Sequence, residues 1–180
     1  MKKIFASLLT VALMCVGAAA FAAEVKINDT AFPAKGNTFT RSWSFLTHVS
    51  AAKELKLAAE DFAQHPKLKG IAGVTKPVVI KISAPSKITD IAVTAEFCNF
   101  LDRAKRDYVI EISADNKEWS KLAEANGAGG ITKVKFDNAA AVANDGTVYL
   151  RFSKALKPAD RANKIPWSVM LKKVTFSIKF

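Results

Sequence analysis

Alternating apolar and polar residues dominate the chain from residue 77 onward. In the closing segment, Val174, Phe176 and Ile178 alternate with polar side chains, which indicates a strand with one buried face and one exposed face. The same pattern recurs in short runs separated by turn-forming residues, as is typical of half-buried antiparallel strands. Strands are predicted over residues 77–83, 88–97, 107–113, 131–136, 147–152 and 171–180.

The segments between these runs contain residues that favour turns. Asn144-Asp145-Gly146 predicts a hairpin turn, Asp115-Asn116 tolerates a left-handed backbone, and residues 126–130 predict a flexible glycine-rich loop. Such regular spacing of turns favours a sandwich or a barrel. The predicted fold class is therefore all-β, an antiparallel β-sandwich.

The region before residue 77 has a different pattern. Leu55 and Phe62, with two alanines between them, have helical spacing, although Leu55 and Leu57 also fit an alternating pattern. A short helix is predicted within residues 50–64. Pro66 and Gly70 would end it before the first strand.

The N-terminus has the pattern of a secretory signal. Lys2 and Lys3 precede an apolar run over residues 4–16, and Ala20-Phe21-Ala22 provides the small residues that signal peptidase accepts. Residues 1–22 are predicted to be a signal peptide, and residues 23–180 a single β-sandwich domain. The expected product is exported to the periplasm or the cell exterior, with no transmembrane segment in the mature chain.

The chain is strongly basic, with 27 lysines and arginines against 16 aspartates and glutamates. Loss of Lys2 and Lys3 with the signal lowers the formal net charge from +11 to +9. An exported cationic domain attracts glycans and other anionic envelope polymers, whereas export argues against nucleic acid as a partner. A dispersed, solubilising charge is the alternative. Cys98 alone remains in the mature chain, so no intrachain disulfide is expected.

One group of motifs has a counterpart in known domains. A strand ending in Ser113, an Asp115-Asn116 turn, Trp119 and the strand around Leu150 resemble the discoidin-like domains, also called coagulation factor 5/8 type C or galactose-binding-like domains. The likeness covers about residues 77–180. It implies an eight-stranded jelly-roll sandwich with Trp119 packed inside. Because members of this superfamily bind carbohydrate, bind lipid or act as spacers, the fold alone says little about function.

Catalytic groups are scarce. The only histidines are His48 and His65, and no hydrolase motif surrounds either one. No cysteine or histidine spacing indicates zinc, and no acidic loop indicates an EF-hand, so we expect a protein that is not an enzyme and has no cofactor. A structural calcium ion held by backbone carbonyls would leave no sequence signature.

Sugar recognition usually combines an aromatic ring with a few polar groups that fix the hydroxyls. Three segments offer this mixture: residues 99–106, 161–167 and 41–45, the last of which contains Arg41 and Trp43. If the first two segments lie at one end of the sandwich, they would form a basic rim with an aromatic platform. The alternative is that the arginines are solvated and Trp167 caps the core. The predicted ligand-binding residues are Trp167, Arg103, Arg106, Asn99, Phe100, Arg161 and Asn163.

These observations predict an exported, non-catalytic binding module for carbohydrate, with an anionic glycan among the candidate ligands. The alternative is a structural or protein-interaction module of the cell envelope, in which the same loops contact another protein.

Overall fold

The computed structural model describes residues 23–45, 49–56, 62–64, 72–74, 77–99, 106–127, 130–136, 144–154 and 169–180. Within these ranges the chain forms twelve strands and one short helix. In chain order they are β1 (Glu24–Ile27), β2 (Thr30–Pro33), β3 (Thr38–Ser44), α1 (Val49–Glu54), β4 (Phe62–Gln64), β5 (Ala72–Val74), β6 (Val78–Ser83), β7 (Asp90–Asn99), β8 (Arg106–Ser113), β9 (Ser120–Gly127), β10 (Gly130–Phe136), β11 (Thr147–Lys154) and β12 (Val169–Lys179).

Two antiparallel sheets form the body of the protein. The larger has six strands in the order β2-β1-β6-β11-β8-β9, and the smaller has four in the order β10-β7-β12-β3. A separate hairpin, β4-β5, has its second strand close to β12. The predicted all-β sandwich is confirmed.

The core lies between the two sheets and is built by the alternation seen in the sequence. Val78, Ile80 and Ile82 of β6 are buried while their neighbours are half-buried, and β8, β11, β7 and β12 repeat this pattern. The ring of Phe97, from the smaller sheet, stacks on that of Tyr108, from the larger, with 4.7 Å between ring centres. Inward residues of both sheets thus form one continuous apolar layer.

The six predicted strands are confirmed, with ends that shift by at most two residues. β9 begins at Ser120, directly after Trp119, and extends to Gly127, so the predicted 126–130 loop is shorter than expected. The Asp115-Asn116 turn is confirmed, since Asn116 has a left-handed backbone (φ 63°). Gly146 is also left-handed (φ 106°), but the hairpin predicted there is wrong, because β11 pairs with β6 and β8 while β10 belongs to the other sheet.

The predicted helix is only partly correct. α1 ends at Glu54, and residues 62–64 form a strand, not the end of a helix. The helix ends because Lys56 adopts a left-handed backbone (φ 49°), which places its N–H on the carbonyl of Lys53. Leu55, the first residue after the helix, is fully buried in the core.

A hairpin that the sequence analysis missed opens the described chain. β1 and β2 are joined by Asn28 and Asp29, both left-handed, which is the two-residue geometry favoured in hairpins. The hairpin extends the larger sheet beyond β6, so the two main sheets contain ten described strands where the resemblance implied eight. The four residues of each strand give too little alternation to predict.

Residues 1–22, the predicted signal peptide, lie outside the described residues, so that prediction and the assignment of 23–180 as one domain remain predictions. Among the helical residues that the structure describes, none belongs to a helix long and apolar enough to cross a membrane.

Candidate functional site

The predicted loop residues fall largely outside the described part of the chain. Asn99 is the last residue of β7 and Arg106 the first of β8, so both are strand residues, not loop residues. The reason is pairing, because Asn99 lies opposite Gly130 of β10 and Arg106 opposite Gly127 of β9. The positions outside the described residues are Phe100, Arg103, Arg161, Asn163 and Trp167. The site built on them remains a prediction.

The third predicted segment is structural. Trp43 is 2% exposed, stacks on Phe176 at 5.0 Å between ring centres, and donates its indole N–H to Glu54 Oε2 at 3.1 Å. The guanidinium of Arg41 is ion-paired with Glu54 and lies 4.2 Å from the centre of the Phe32 ring. No sugar can reach a tryptophan that is buried in this way, and this part of the sugar-binding hypothesis is wrong.

The outer face of the six-stranded sheet offers an aromatic site instead. Val148, Leu150 and Phe152 point into the core, so Tyr149 and Arg151 face outward, as the alternation predicted. We call the outward residues Glu111, Trp119, Tyr149 and Arg151 the aromatic face. Within it, Tyr149 lies opposite Ser113 of β8, and Arg151 lies opposite Glu111.

Trp119 belongs to this outer face, which corrects the expectation that it packs inside the sandwich. Ser120 pairs with the inward-facing Ile112, so Trp119, one residue earlier, takes the outward position. Its side chain is half-buried and is not part of the core. The inward packing that the resemblance to discoidin-like domains implied for this tryptophan is therefore wrong.

Arg151 connects the polar and aromatic parts of the face. Its guanidinium donates two hydrogen bonds to Glu111, from Nε to Oε2 at 2.6 Å and from Nη2 to Oε1 at 2.7 Å. Its Cζ lies 4.2 Å from the centre of the Trp119 ring, which is a cation–π contact. The hydrogen bonds to Glu111 raise the pKa of Arg151 against the smaller opposing effect of burial. The arginine is therefore a fixed cation across two strands.

A short polar turn fixes the approach to Trp119. The hydroxyl of Ser113, which is fully buried, accepts from the backbone N–H of Asn116 at 2.9 Å and donates to Asp115 Oδ1 at 3.0 Å. Asp115 Oδ1 also accepts from the N–H groups of Lys117 at 2.8 Å and Glu118 at 3.0 Å. These hydrogen bonds to the charged form, foremost that from Lys117, lower the pKa of Asp115.

A shallow open cleft adjoins the same turn. It has a volume of about 370 Å³ and is lined by Ala114, Asn144, Asp145 and Thr147. Thr147 lies two residues before Tyr149 on β11, so the cleft continues the outer side of the sheet. The Asn144 side chain accepts a hydrogen bond from the backbone N–H of Ile88 and donates one to the carbonyl of the same residue, which holds this wall of the cleft against the segment before β7.

Potential metal ligands do not cluster in the part of the chain that the structure describes. No three His, Cys, Asp or Glu side chains there are placed to hold a metal ion. His48 and His65 lie outside the described residues.

Comparison with known proteins finds no protein family and no curated protein that matches the chain. Among solved structures, the chain is similar to a ruminal GH26 endo-β-1,4-mannanase, with 17% sequence identity and a TM-score of 0.40. The match covers 77% of this chain and 25% of that one, so the chain spans about a quarter of the enzyme's length.

Proposed function

We propose that this protein is a non-catalytic carbohydrate-binding module that holds a sugar on its aromatic face. The observation that supports the proposal is the half-buried indole of Trp119, fixed by the cation of Arg151 at 4.2 Å on the open side of the larger sheet. Among the tryptophans whose side chains are described, Trp43 is buried, which leaves Trp119 as the one able to meet a ligand.

The chemistry of this face suits a saccharide. The apolar face of a pyranose ring stacks on an indole or phenol ring, and Trp119 and Tyr149 both retain exposed area. Glu111 and Arg151 supply acceptors and donors at fixed positions, because each already orients the other through two hydrogen bonds. Prior fixation lowers the entropy that ligand binding would otherwise cost.

The wider interpretation has three parts. The chain is a galactose-binding-like jelly roll, supported by its two antiparallel sheets and by the Ser113, Asp115 and Trp119 turn. It is exported by residues 1–22 to the periplasm or the cell exterior, supported by the signal pattern in the sequence. It binds its ligand without turnover, supported by the shortage of catalytic groups in the sequence.

A glycan array tests the proposal. The purified protein is applied to neutral, uronic and sulfated glycans at low and at physiological salt, and we expect selective binding that persists at physiological salt. Trp119→Ala is expected to weaken binding of neutral glycans by about fivefold to thirtyfold, because a stacked aromatic contributes on the order of 1–2 kcal/mol to binding. Trp119→Phe keeps a ring and should retain part of the affinity.

Two control variants locate the site. Ile131→Ala removes a side chain that is 49% exposed on the other sheet and should leave binding unchanged. Trp167→Ala tests the predicted loop site; if it abolishes binding while Trp119→Ala does not, the aromatic face is not the site. Absence of glycan binding, with one envelope protein copurifying, would favour the protein-interaction alternative.

A further inference from the structure

The outer face of the four-stranded sheet differs in chemistry from the aromatic face. Along β12 the outward residues are Lys173, Thr175, Ser177 and Lys179, while Val174, Phe176 and Ile178 point into the core. Neighbouring strands add further lysines and hydroxyls. We call this the lysine–hydroxyl face; its members are Lys133, Lys135, Lys172, Lys173, Lys179, Thr40, Ser42, Thr94, Thr175 and Ser177.

The hydroxyls of this face form cross-strand pairs. Thr40 Oγ1 and Ser177 Oγ are 2.7 Å apart, and Ser42 Oγ and Thr175 Oγ1 are also 2.7 Å apart. Thr175 lies opposite Thr94 in the next strand, which continues the row across the sheet. Each hydroxyl has a second hydrogen-bonding capacity, so the paired rows present ordered donors and acceptors to a ligand.

The lysines are in excess over the acids around them. Among side chains that the structure describes, the outward positions of this sheet hold five lysines against Asp90 and Glu96. Glu96 is shared, with Lys133 Nζ at 3.4 Å and Lys172 Nζ at 3.7 Å from its two oxygens. No salt bridge is found between a described carboxylate and Lys173 or Lys179, whose strand partners on β7 are Glu96 and Asp90, so the face keeps more lysines than acids.

The larger sheet has no such excess on its outer face. Its described outward positions hold four cations against four carboxylates: Lys26, Lys81, Lys121 and Arg151 against Glu24, Asp107, Glu111 and Glu124. Arg151 and Lys121 are ion-paired within that face, and Lys81 is 3.4 Å from Asp29 in the β1–β2 turn. Of the two outer faces that the structure describes, the one on the smaller sheet therefore carries the excess of positive charge.

We propose that the lysine–hydroxyl face is a second binding surface, and that its ligand is a linear polyuronate, a polysaccharide with a carboxylate on each sugar. The lysines complement the carboxylates. The ordered serine and threonine hydroxyls complement sugar hydroxyls, which donate as well as accept. A chain of phosphates would satisfy the lysines but offers no donors to the hydroxyl rows.

The dimensions of the face suit an extended polymer. Lys173 and Lys179 are six residues apart on one strand, which corresponds to about 20 Å at the usual rise of a β-strand. Lys133, Lys135 and Lys179 are exposed, and Lys172 and Lys173 are half-buried. Binding through several such charges should be weak per contact and sensitive to salt.

Binding of polygalacturonate and of its methyl-esterified, neutral form tests the proposal. The purified protein should bind the charged polymer and should bind the ester at least about tenfold more weakly, because the charge complementarity is lost. Lys173→Gln combined with Lys179→Gln should weaken polygalacturonate binding by a similar factor. The charge-matched control, Lys26→Gln with Lys81→Gln on the larger sheet, should change it by less than about twofold, because screening limits the reach of distant charges.

A third variant separates sugar recognition from simple charge attraction. Thr175→Val removes a central hydroxyl while keeping the shape and β-branching, and it should weaken binding of polygalacturonate but not of polyphosphate. Equal affinity for polyphosphate or single-stranded DNA and for polygalacturonate, with no effect of Thr175→Val, would overturn the polyuronate assignment. Equal losses in the two double-lysine variants would overturn the location.

This surface stands apart from the aromatic face. Trp119→Ala should leave polygalacturonate binding intact, and the β12 lysine variant should leave binding of neutral sugars intact. If Trp119→Ala has no effect on any glycan while the lysine variant acts as expected, the aromatic face fails and the lysine–hydroxyl face stands. The converse result would overturn the lysine–hydroxyl face alone.

Discussion

Two regions of this protein combine an arginine, a glutamate and a tryptophan, and they do so with opposite consequences. In each, the guanidinium is ion-paired with the carboxylate and lies near the face of an indole. We call them the inner trio and the outer trio. The inner trio is Arg41, Glu54 and Trp43; the outer trio is Arg151, Glu111 and Trp119.

The two trios differ in how deeply the tryptophan is buried. In the inner trio, Trp43 is 2% exposed and gives its N–H to Glu54, so the carboxylate serves both the indole and Arg41. In the outer trio, both carboxylate oxygens of Glu111 accept from Arg151, and Trp119 is half-buried beside them. Residue type is the same, so position relative to the strand alternation decides whether such a trio stabilises the core or remains open to a ligand.

The largest effect that separates the trios is expected from the tryptophans. Trp43→Ala should lower the free energy of unfolding by about 3–5 kcal/mol, because it empties a buried site between Phe32 and Phe176. Trp119→Ala should cost about 1 kcal/mol or less, as is usual for a partly exposed side chain. Urea unfolding of both variants measures the difference. Similar losses in the two would contradict the assignment of Trp119 to the outer face.

The glutamate of the inner trio should give the next largest effect. Glu54→Ala strips an acceptor from the buried Trp43 N–H and a partner from Arg41, at a cost of about 1–3 kcal/mol in unfolding free energy. Glu54→Gln keeps an acceptor oxygen and should recover part of the loss. The matched control is Glu124→Ala, whose pair with Lys121 is largely exposed and should contribute little. A loss as large in the control would show that Glu54 acts only through surface charge.

The contrast between the trios also marks how far sequence reasoning extends. The strands from β6 onward were predictable because alternation and turn residues coincide there. β1 and β2 were not, because four residues carry too little pattern. The pairing of Glu111 with Arg151 joins residues 40 positions apart and depends on the register of β8 against β11, which no local signal specifies.

The predicted ligand-binding residues also show that the sequence does not reveal which distant residues come together in the fold. The prediction of residues such as Trp167 and Arg103 depends on local composition, because aromatic and cationic residues near each other suit a sugar. The lysine–hydroxyl face is not predictable from local composition, since its members are spread over β3, β7, β10 and β12 and come together only when the sheet forms. The alternation of lysine and hydroxyl residues over 173–179 is the one signal in the sequence, and by itself it indicates only the solvent side of a strand.

The outer trio should show measurable but modest coupling between its charges. A double-mutant cycle with Arg151→Ala and Glu111→Ala should give about 0.5–1 kcal/mol, because the pair has two-point geometry but side chains that are 30% and 19% exposed. Unfolding in urea at low and at high salt measures it, and salt should reduce the coupling. Coupling of several kcal/mol would mean that the outer trio is a core element like the inner one.

The smallest expected effect concerns the turn that positions the outer trio, and it depends on pH. Backbone hydrogen bonds from Lys117 and Glu118 hold the pKa of Asp115 below its ordinary value in the folded protein. A folded-state pKa that is depressed stabilises the fold above the unfolded pKa, and this contribution is lost as pH falls from about 4 through the folded pKa. Asp115→Asn keeps an acceptor oxygen but removes the charge, so it should lower the melting temperature slightly at neutral pH and flatten the acid limb of the stability profile.

Thermal unfolding across the acid range, followed by tryptophan fluorescence, measures this effect. Asp115→Ala, which removes the acceptor as well, should lower the melting temperature at every pH, whereas Asp115→Asn should converge with the wild type in acid. Asp145→Asn is the control, because Asp145 accepts one long backbone hydrogen bond, from Thr147 at 3.3 Å, and has little to lose. If the profiles of Asp115→Asn and the wild type stay parallel through the acid range, the charge of Asp115 does not hold the turn, and the position of Trp119 depends on strand pairing alone.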